Sequence, residues 1–404
     1  MEKSKKSPLF FIYFATFVNI IGFGMVFPLL PFYAREFQAS ETLIGLLASS
    51  FAVGEFFFAP IWGRLSDRFG RKPVILTSLL GISFAFGSFA VANNLTWLFI
   101  ARFLQGVFSA GTFTSASAYV ADITTRQERI QGMSKLGASV AAGFIFGPAV
   151  GGILSSLNHQ LPFFAASALT IVNLIFVQIL LKESLKVKEE RLVLKEGFLN
   201  IKAMYHGLRG ELGTLFILIF LWSYALSNNQ VAIPLFGAEV LVISAVTIGI
   251  FFSLQGFTSA FVQWFLLAKI SHKIGEHHAA VLGLSIMALS LFLMPFSAVP
   301  YLLALLMMAF SFGSAITRPT VQTLISKKTH EGQGTTMGIA ASFESLGRII
   351  GPILGGVVFY SLGYKAAFLM VVVVIAAMLF YVILKKKFLK PEARPERSRK
   401  VSTY

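Results

Sequence analysis

Long apolar runs, separated by short polar or charged stretches, recur along the whole chain. A helix needs about 20 apolar residues to cross the hydrocarbon of a bilayer. Twelve runs meet or approach that length: residues 8–33, 41–62, 73–92, 95–120, 132–156 and 161–181, then 212–236, 244–268, 279–296, 300–325, 334–360 and 366–384. The pattern predicts an all-α membrane protein with twelve transmembrane helices in two pseudo-symmetric six-helix bundles. The stretch 182–211 is polar and of mixed charge, with Lys182, Glu183, Lys186, Lys188, Glu189, Glu190 and Arg191. It divides the chain into an N-terminal bundle (1–181), a linker (182–211), a C-terminal bundle (212–385) and a basic tail (386–404).

Composition agrees with a lipid solvent. The hydrophobic fraction is 56% and the charged fraction 13%, against about 25% charged residues in soluble domains. In water such a chain would expose large apolar patches. The net charge of +16 raises nucleic acid as a partner. The cations, however, sit in short loops and in the tail, not on one face, so no nucleic-acid partner is expected and membrane lipid is. The loops alternate in charge. One set carries Arg64, Arg68, Arg71 and Lys72, then Arg126 and Arg129, then Lys269 and Lys273, then Lys327 and Lys328. The other carries Arg35, Glu36 and Glu41, then uncharged stretches, then Glu239 and Lys365. Cationic loops stay on the cytoplasmic side, which places both termini and the linker inside a plasma (inner) membrane. Lys3, Lys5 and Lys6 precede a run without a small-residue cleavage site, so the first run reads as an uncleaved helix.

The halves read as copies. Gly147-Pro148-Ala149-Val150-Gly151-Gly152 returns as Gly351-Pro352-Ile353-Leu354-Gly355-Gly356, an offset of 204 from Gly147 to Gly351. Leu65-Ser66-Asp67-Arg68-Phe69-Gly70 returns, weakened, as Ile270-Ser271-His272-Lys273-Ile274-Gly275, an offset of 205. Paired repeats imply a cavity at their interface near the bilayer midplane.

Chemistry narrows the function. Cysteine is absent, which excludes disulfides, thiolate metal sites and a Cys nucleophile. No metal-spaced His/Glu cluster, phosphate-cradling Gly-x-x-x-x-Gly-Lys or nucleophile elbow occurs. No catalytic residue, metal or cofactor is therefore expected, and the chain does not read as an enzyme. Without an ATP site, transport draws on an ion gradient or runs downhill.

Four segments carry a family resemblance. Gly63-Arg64-Leu65-Ser66-Asp67-Arg68-Phe69-Gly70-Arg71-Lys72-Pro73 is a dense charge cluster between two apolar runs. It resembles the signature cytoplasmic loop of the major facilitator superfamily nearly position for position. Gly143-x-x-x-Gly147-Pro148-x-x-Gly151-Gly152 resembles the antiporter motif of that superfamily's drug exporters. Arg102-Phe103-Leu104-Gln105-Gly106 resembles their Arg-containing fourth-helix motif. The run with Gly22, Gly24, Pro28 and Pro31 resembles the first helix of the tetracycline/proton antiporters and related multidrug exporters. The resemblance implies a drug/proton antiporter with a conformational latch (Gly63, Asp67, Arg68, Gly70, Arg71, Asp122). In it Asp67 would meet a helix N-terminus of the other half, and Arg71 would pair with Asp122. It implies a proton-coupling role for Arg102. Gly143, Gly147 and Gly151 share one helical face, which by itself also fits plain tight packing. Topology alone would likewise account for Arg64 and Lys72.

Two departures matter. Asn19 stands where those relatives usually carry an aspartate, and an amide cannot release a proton. Ser259 and Met287 stand at the tetracycline exporters' eighth-helix histidine and ninth-helix aspartate positions, which argues against tetracycline. Coupling must then involve the remaining intramembrane charges: Glu55, Arg318, Glu344 and Arg348. A dry cavity disfavours the charged form of a carboxyl, and Glu55 has no cation close in sequence, so it is the first candidate proton carrier. Glu344 and Arg348 lie one turn apart in the favourable order for a pair, and Arg318 is a candidate counter-charge for Glu344 or for an anionic substrate. Candidate cavity residues are Asn19, Phe23, Phe27, Gln105, Trp222, Tyr224, Phe257 and Phe343, with Phe32, Phe251 and Phe252. In a chain with 43 Phe, lipid contact and helix packing are the alternative.

The expected function is proton-coupled export of small lipophilic molecules, hence antibiotic resistance, by a monomer. Export of a specific metabolite such as a siderophore or sugar, and lipid or glycolipid flipping, remain open. A membrane-embedded enzyme or receptor fits less.

Overall fold

A computed structural model describes residues 3–125, 128–185, 205–208, 212–329 and 333–384. The loop residue Arg126, the linker charges from Lys186 to Arg191 and the tail 386–404 lie outside the described residues. Helices form where the apolar runs are, and polar residues set their ends. The first run is α1 (Lys3–Val26), a tight turn at Phe27–Leu29, and α2 (Leu30–Glu36). Pro28 and Pro31 lack the N–H that a continuous helix would use there. Then follow α3 (Glu41–Phe69), α4 (Arg71–Ala90), α5 (Leu95–Ile123), α6 (Arg129–Leu157) and α7 (Leu161–Leu180). The second half begins with α8 (Gly213–Glu239). Next comes α9 (Ala245–Phe261), joined to α10 (Leu267–Ile274) through a π turn at Val262–Leu266. It ends with α11 (Glu276–Leu293), α12 (Pro300–Lys328), α13 (Gln333–Leu362) and α14 (Tyr364–Leu384).

Eleven helices among the described residues are long and apolar enough to cross a membrane. The remaining long helix, α5, has 29 residues. It is long enough, but Arg102, Gln105, Thr112, Thr114 and Ser115 lower its hydropathy, and most of these side chains are buried against neighbouring helices.

The charge-rich segment expected as a loop is mostly helix. Helix α3 continues through Phe69 and α4 starts at Arg71. Gly70 alone makes the turn, at φ +114°, where a side chain is strained. Its counterpart Gly275 turns α10 into α11 at φ +80°.

The repeat governs packing as well as sequence. Ser40 caps α3 by accepting from the Leu43 N–H, and Ser244, 204 residues on, caps α9 by accepting from the Thr247 N–H. Such caps hold the orphan donors of a helix start. Within the first group of helices, α6 packs on α1; within the second, α13 packs on α8. Two seams join the groups: α6 against α9, and α3 against α13. Under the repeat these seams are equivalent, since α3 corresponds to α9 and α6 to α13.

Candidate functional site

The seams are built by the Gly-Pro repeats. Gly143, Gly147 and Gly151 face α1: added Cβ atoms would run into Ile20, Ile21 O and the Met25 backbone. Gly347, Gly351 and Gly355 face α8 in the same way, against Phe220 O, Tyr224 O and Asn228. The other face of each motif points across the seam. A Cβ on Gly249 would strike Pro148 O, and one on Gly152 would meet the Val246 backbone at 3.0 Å. A Cβ on Gly45 would strike Pro352 O, and one on Gly356 would strike Glu41 O. Small residues thus let backbones touch where side chains would hold them apart. Serines pin both seams. The Ala149 N–H donates to Ser253 Oγ at 3.0 Å, and Ser49 Oγ donates to Ile349 O at 2.7 Å. Ser49 and Ser253 are again 204 positions apart.

Charge breaks the equivalence. In the α3–α13 seam Arg348 Nη1 donates to Glu55 Oε2 at 2.6 Å. The side chains are 36% and 17% exposed, respectively. The matching positions of the other seam are Phe144 and Ser259, which carry no charge. The expected one-turn pair of Glu344 with Arg348 is therefore not formed. Arg348 reaches across the seam, and Glu344 turns instead to Arg318 at 3.1 Å. The cause is geometric: residues four apart can meet on one helix, but each finds a closer opposite charge on a neighbouring helix. Arg318 also lies over the Trp222 ring at 5.3 Å, and Trp222 Nε1 donates to Ser314 Oγ at 2.8 Å. Trp222, Arg318 and Glu344 thus form one cluster within the second group of helices.

Arg102 does not snorkel. It is 2% exposed, with its guanidinium 4.8 Å from the Phe51 ring centre and 5.6 Å from that of Phe23. Its Nη1 donates to Gln105 Oε1 at 2.6 Å, while Arg102 Nε and Gln105 Nε2 have no partner among the described residues. Face-on aromatic rings stabilise a cation in a desolvated site, and here they replace a carboxylate. Phe23 stacks on Phe27 at 5.8 Å, and Phe27 meets Phe252 of the other half at 5.5 Å.

The expected aromatic residues, Phe257 apart, belong to one apolar core and make separate ring contacts within it. Phe23, Phe27 and Phe252 form a group; Phe343 stacks on Phe216, Tyr224 stacks on Phe220, and Phe257 is exposed beside Phe261. Phe32 and Phe251 pack in the main apolar core. Asn19 is half-buried and takes part in no described hydrogen bond.

At the opposite end from Arg35 and Glu239, Arg71 is the hub. It is buried, donates from Nε to Asp122 Oδ2 at 2.9 Å, and bonds Asp67 and Ser66 as well. Asp67 is therefore held inside its own half, and the cross-half partner expected for it is not among its described contacts. Arg68 lies over the Phe69 ring at 5.3 Å. Gly63 has open space around it, so packing does not explain its smallness.

Sequence reasoning missed Glu183. Its carboxylate accepts from the Arg71 and Lys72 N–H groups at 3.0 Å each, capping α4 where the helix dipole favours an anion. Ser184 Oγ donates to Asp122 at 2.9 Å. The start of the linker is thereby fastened to the signature segment. An acidic residue after an apolar run was the available signal, but nothing in sequence linked it to a helix start more than a hundred residues earlier. Asn228 and Asn229 were also missed. They are buried in α8, and their side-chain oxygens have no partner among the described residues.

The family model for the Major Facilitator Superfamily matches residues 12–266 and 215–403. Multidrug resistance protein 2 of Bacillus subtilis is 30% identical over 347 residues, 85% of this chain and 86% of that protein. The class C tetracycline resistance protein of Escherichia coli is 29% identical over 343 residues, 83% of this chain and 86% of that one. Among solved structures, the human organic anion transporter MFSD10 superposes with a TM-score of 0.72 at 21% identity, over 96% of this chain and 99% of that chain. Repeated Gly-Pro seams, an Arg71–Asp122 hub and a full-length family match lead to one conclusion: the chain is a multi-pass membrane transporter of the major facilitator superfamily.

Proposed function

We propose that this transporter exports small lipophilic molecules by proton antiport, with Glu55 as the proton carrier. The observation that carries the reading is the Glu55–Arg348 pair across the α3–α13 seam. Among the described residues, the hydrogen bonds joining the halves from Arg35 to Glu239, Ser49 to Ile349 and Ala149 to Ser253 lie toward the end that carries Arg35, and the bond from Arg348 to Glu55 lies at mid-helix. Opening that end to release substrate must part the seam and leave Glu55 without its cation. A carboxylate losing its counter-charge in a low-dielectric site takes up a proton. Closing the seam returns Arg348 to Glu55 and expels the proton to the other side. One proton moved through 100 mV supplies about 2.3 kcal/mol, enough for roughly a fifty-fold gradient of a neutral solute.

The cation-rich ends of the helices, with Arg64, Lys72 and Lys327, face the cytoplasm in this reading, and the membrane is the plasma (inner) membrane. The latch role of Asp67 and Arg71 belongs to the state in which the cytoplasmic ends meet. The relatives named for multidrug and tetracycline resistance support drugs as the substrate class. Asn19 and Met287 speak against tetracycline.

The test is transport of a lipophilic dye in proteoliposomes under an imposed pH gradient. Glu55→Gln should abolish uphill transport while downhill movement persists. Glu344→Gln should reduce affinity and leave coupling in place. Coupling by Glu55→Gln at the parental level would refute the assignment.

A further inference from the structure

We propose that the cleft between α6 and the π turn is a binding site for an anionic phospholipid of the cytoplasmic leaflet. The α6–α9 seam is closed at its far end by Gly152, Pro148 and Phe144 against Val246, Gly249 and Gly256. Further along, the two helices diverge. Ala138, Ser139 and Ala142 of α6 then face Trp264 across a groove of about 280 Å³, with Phe10, Phe14 and Tyr13 of α1 completing it. The groove lies on the outer flank of the bundle. Phe10 and Trp264 are 60% and 68% exposed, and Phe14 continues at 5.0 Å to Phe176 on α7. In a membrane, the medium touching that flank is acyl chain.

Charge decides which lipid. Lys135 is one turn before Ala138 and Ser139, on the face of α6 that lines the groove. Lys269 follows Trp264 by five positions on α10. Both are exposed, and neither has an anionic partner among the described residues. Tyr13 adds a buried hydroxyl without a partner among the described residues, near Gly132 in the first turn of α6. An apolar slot topped by two lysines and a phenolic donor matches one acyl chain and a phosphate. Basic pockets between spanning helices bind anionic head groups in this way. A lipophilic cation would meet the lysines with the wrong sign. The π turn supports a ligand role, because such turns occur often at functional sites.

The test uses Trp264 as reporter. Parent and Trp264→Phe are placed in vesicles of phosphatidylcholine containing either brominated phosphatidylglycerol or brominated phosphatidylcholine. The difference between parent and Trp264→Phe isolates the reporter's emission. Brominated phosphatidylglycerol should quench it at about fivefold lower mole fraction than brominated phosphatidylcholine, and Lys135→Gln should remove about that factor. Equal quenching by both lipids, or no change in Lys135→Gln, overturns the proposal. If Trp264→Phe does not fold, phospholipid retained through purification is counted in the parent and in Lys135→Gln. Retention of phosphatidylglycerol by the parent and its loss in the variant supports the site, and equal retention overturns it.

Discussion

Arg35 and Glu239 occupy the same position of the two repeats, 204 residues apart, and they bond each other across the rim between the halves. Arg35 also holds Glu41 at 2.6 Å. The pair sits where the pseudo-twofold relation brings equivalent helix ends together. The repeat therefore placed the positions, and divergence supplied opposite charges.

Because the pair is 41% and 34% exposed, its worth to stability is small, under about 1 kcal/mol. Arg35→Glu should lower the melting temperature in detergent by no more than about 2 °C. It should, however, place three carboxylates together and open the rim. The chain has no cysteine of its own, so a single introduced Ser49→Cys, buried in the α3–α13 seam, reports opening by maleimide labelling. Labelling should rise in Arg35→Glu and return to the parental level in Arg35→Glu/Glu239→Arg.

The midplane pair should behave differently. Arg348→Met removes the cation and strands Glu55 in a half-buried seam. Breaking a fully buried pair costs 3–5 kcal/mol, and partial exposure reduces that here to about 1–2. Adding Glu55→Gln should recover most of the loss, because replacing both charges is close to neutral. A double-mutant cycle on thermal stability in detergent checks this, and additive losses would show that the pair contributes nothing.

The glycines of the two seams should be interchangeable in effect. Gly45→Ala drives a methyl group into Pro352 O, and Gly249→Ala drives one into Pro148 O. Backbone cannot yield as a flexible side chain would, so each change should cost about 1–3 kcal/mol of the closed seam. Both should shift the resting population toward the state with this end open, read as increased Ser49→Cys labelling. Gly63→Ala, which meets open space, should leave labelling unchanged.

Glu183→Ala removes the cap on α4 and one anchor of the linker. A lost cap costs about 0.5–2 kcal/mol, and the exposed setting favours the low end. Gly70→Ala should cost at least as much, since it places a side chain at φ +114° and against the same carboxylate. Thermal unfolding in detergent checks both.

Much of the architecture was open to reading along the chain, because hydrophobic length and glycine periodicity are local signals. The twelve runs, the Gly-Pro repeat and the Arg71–Asp122 contact follow from such signals or from the family resemblance they carry. The ion-pair partners were not legible. Glu55 and Arg348 are 293 residues apart, and local spacing favoured Glu344 for Arg348. The same limit hid Glu183, whose role appears only when the linker folds back on α4. Arg102 shows a third kind of gap. Its stabilisation by rings, not by a carboxylate, leaves no charge pattern to find.

The uncharged seam has a mechanical consequence. Where α6 meets α9, separation bares carbonyls, one hydroxyl and glycine faces, which water solvates readily. Where α3 meets α13, separation must also pull an anion from a cation. The two flanks of the molecule are thus unequally stiff, and bending is expected to start on the neutral side. The ionic side then acts as a brake, so that opening waits for the ion pair to part while the direction of tilt is already set by the softer flank.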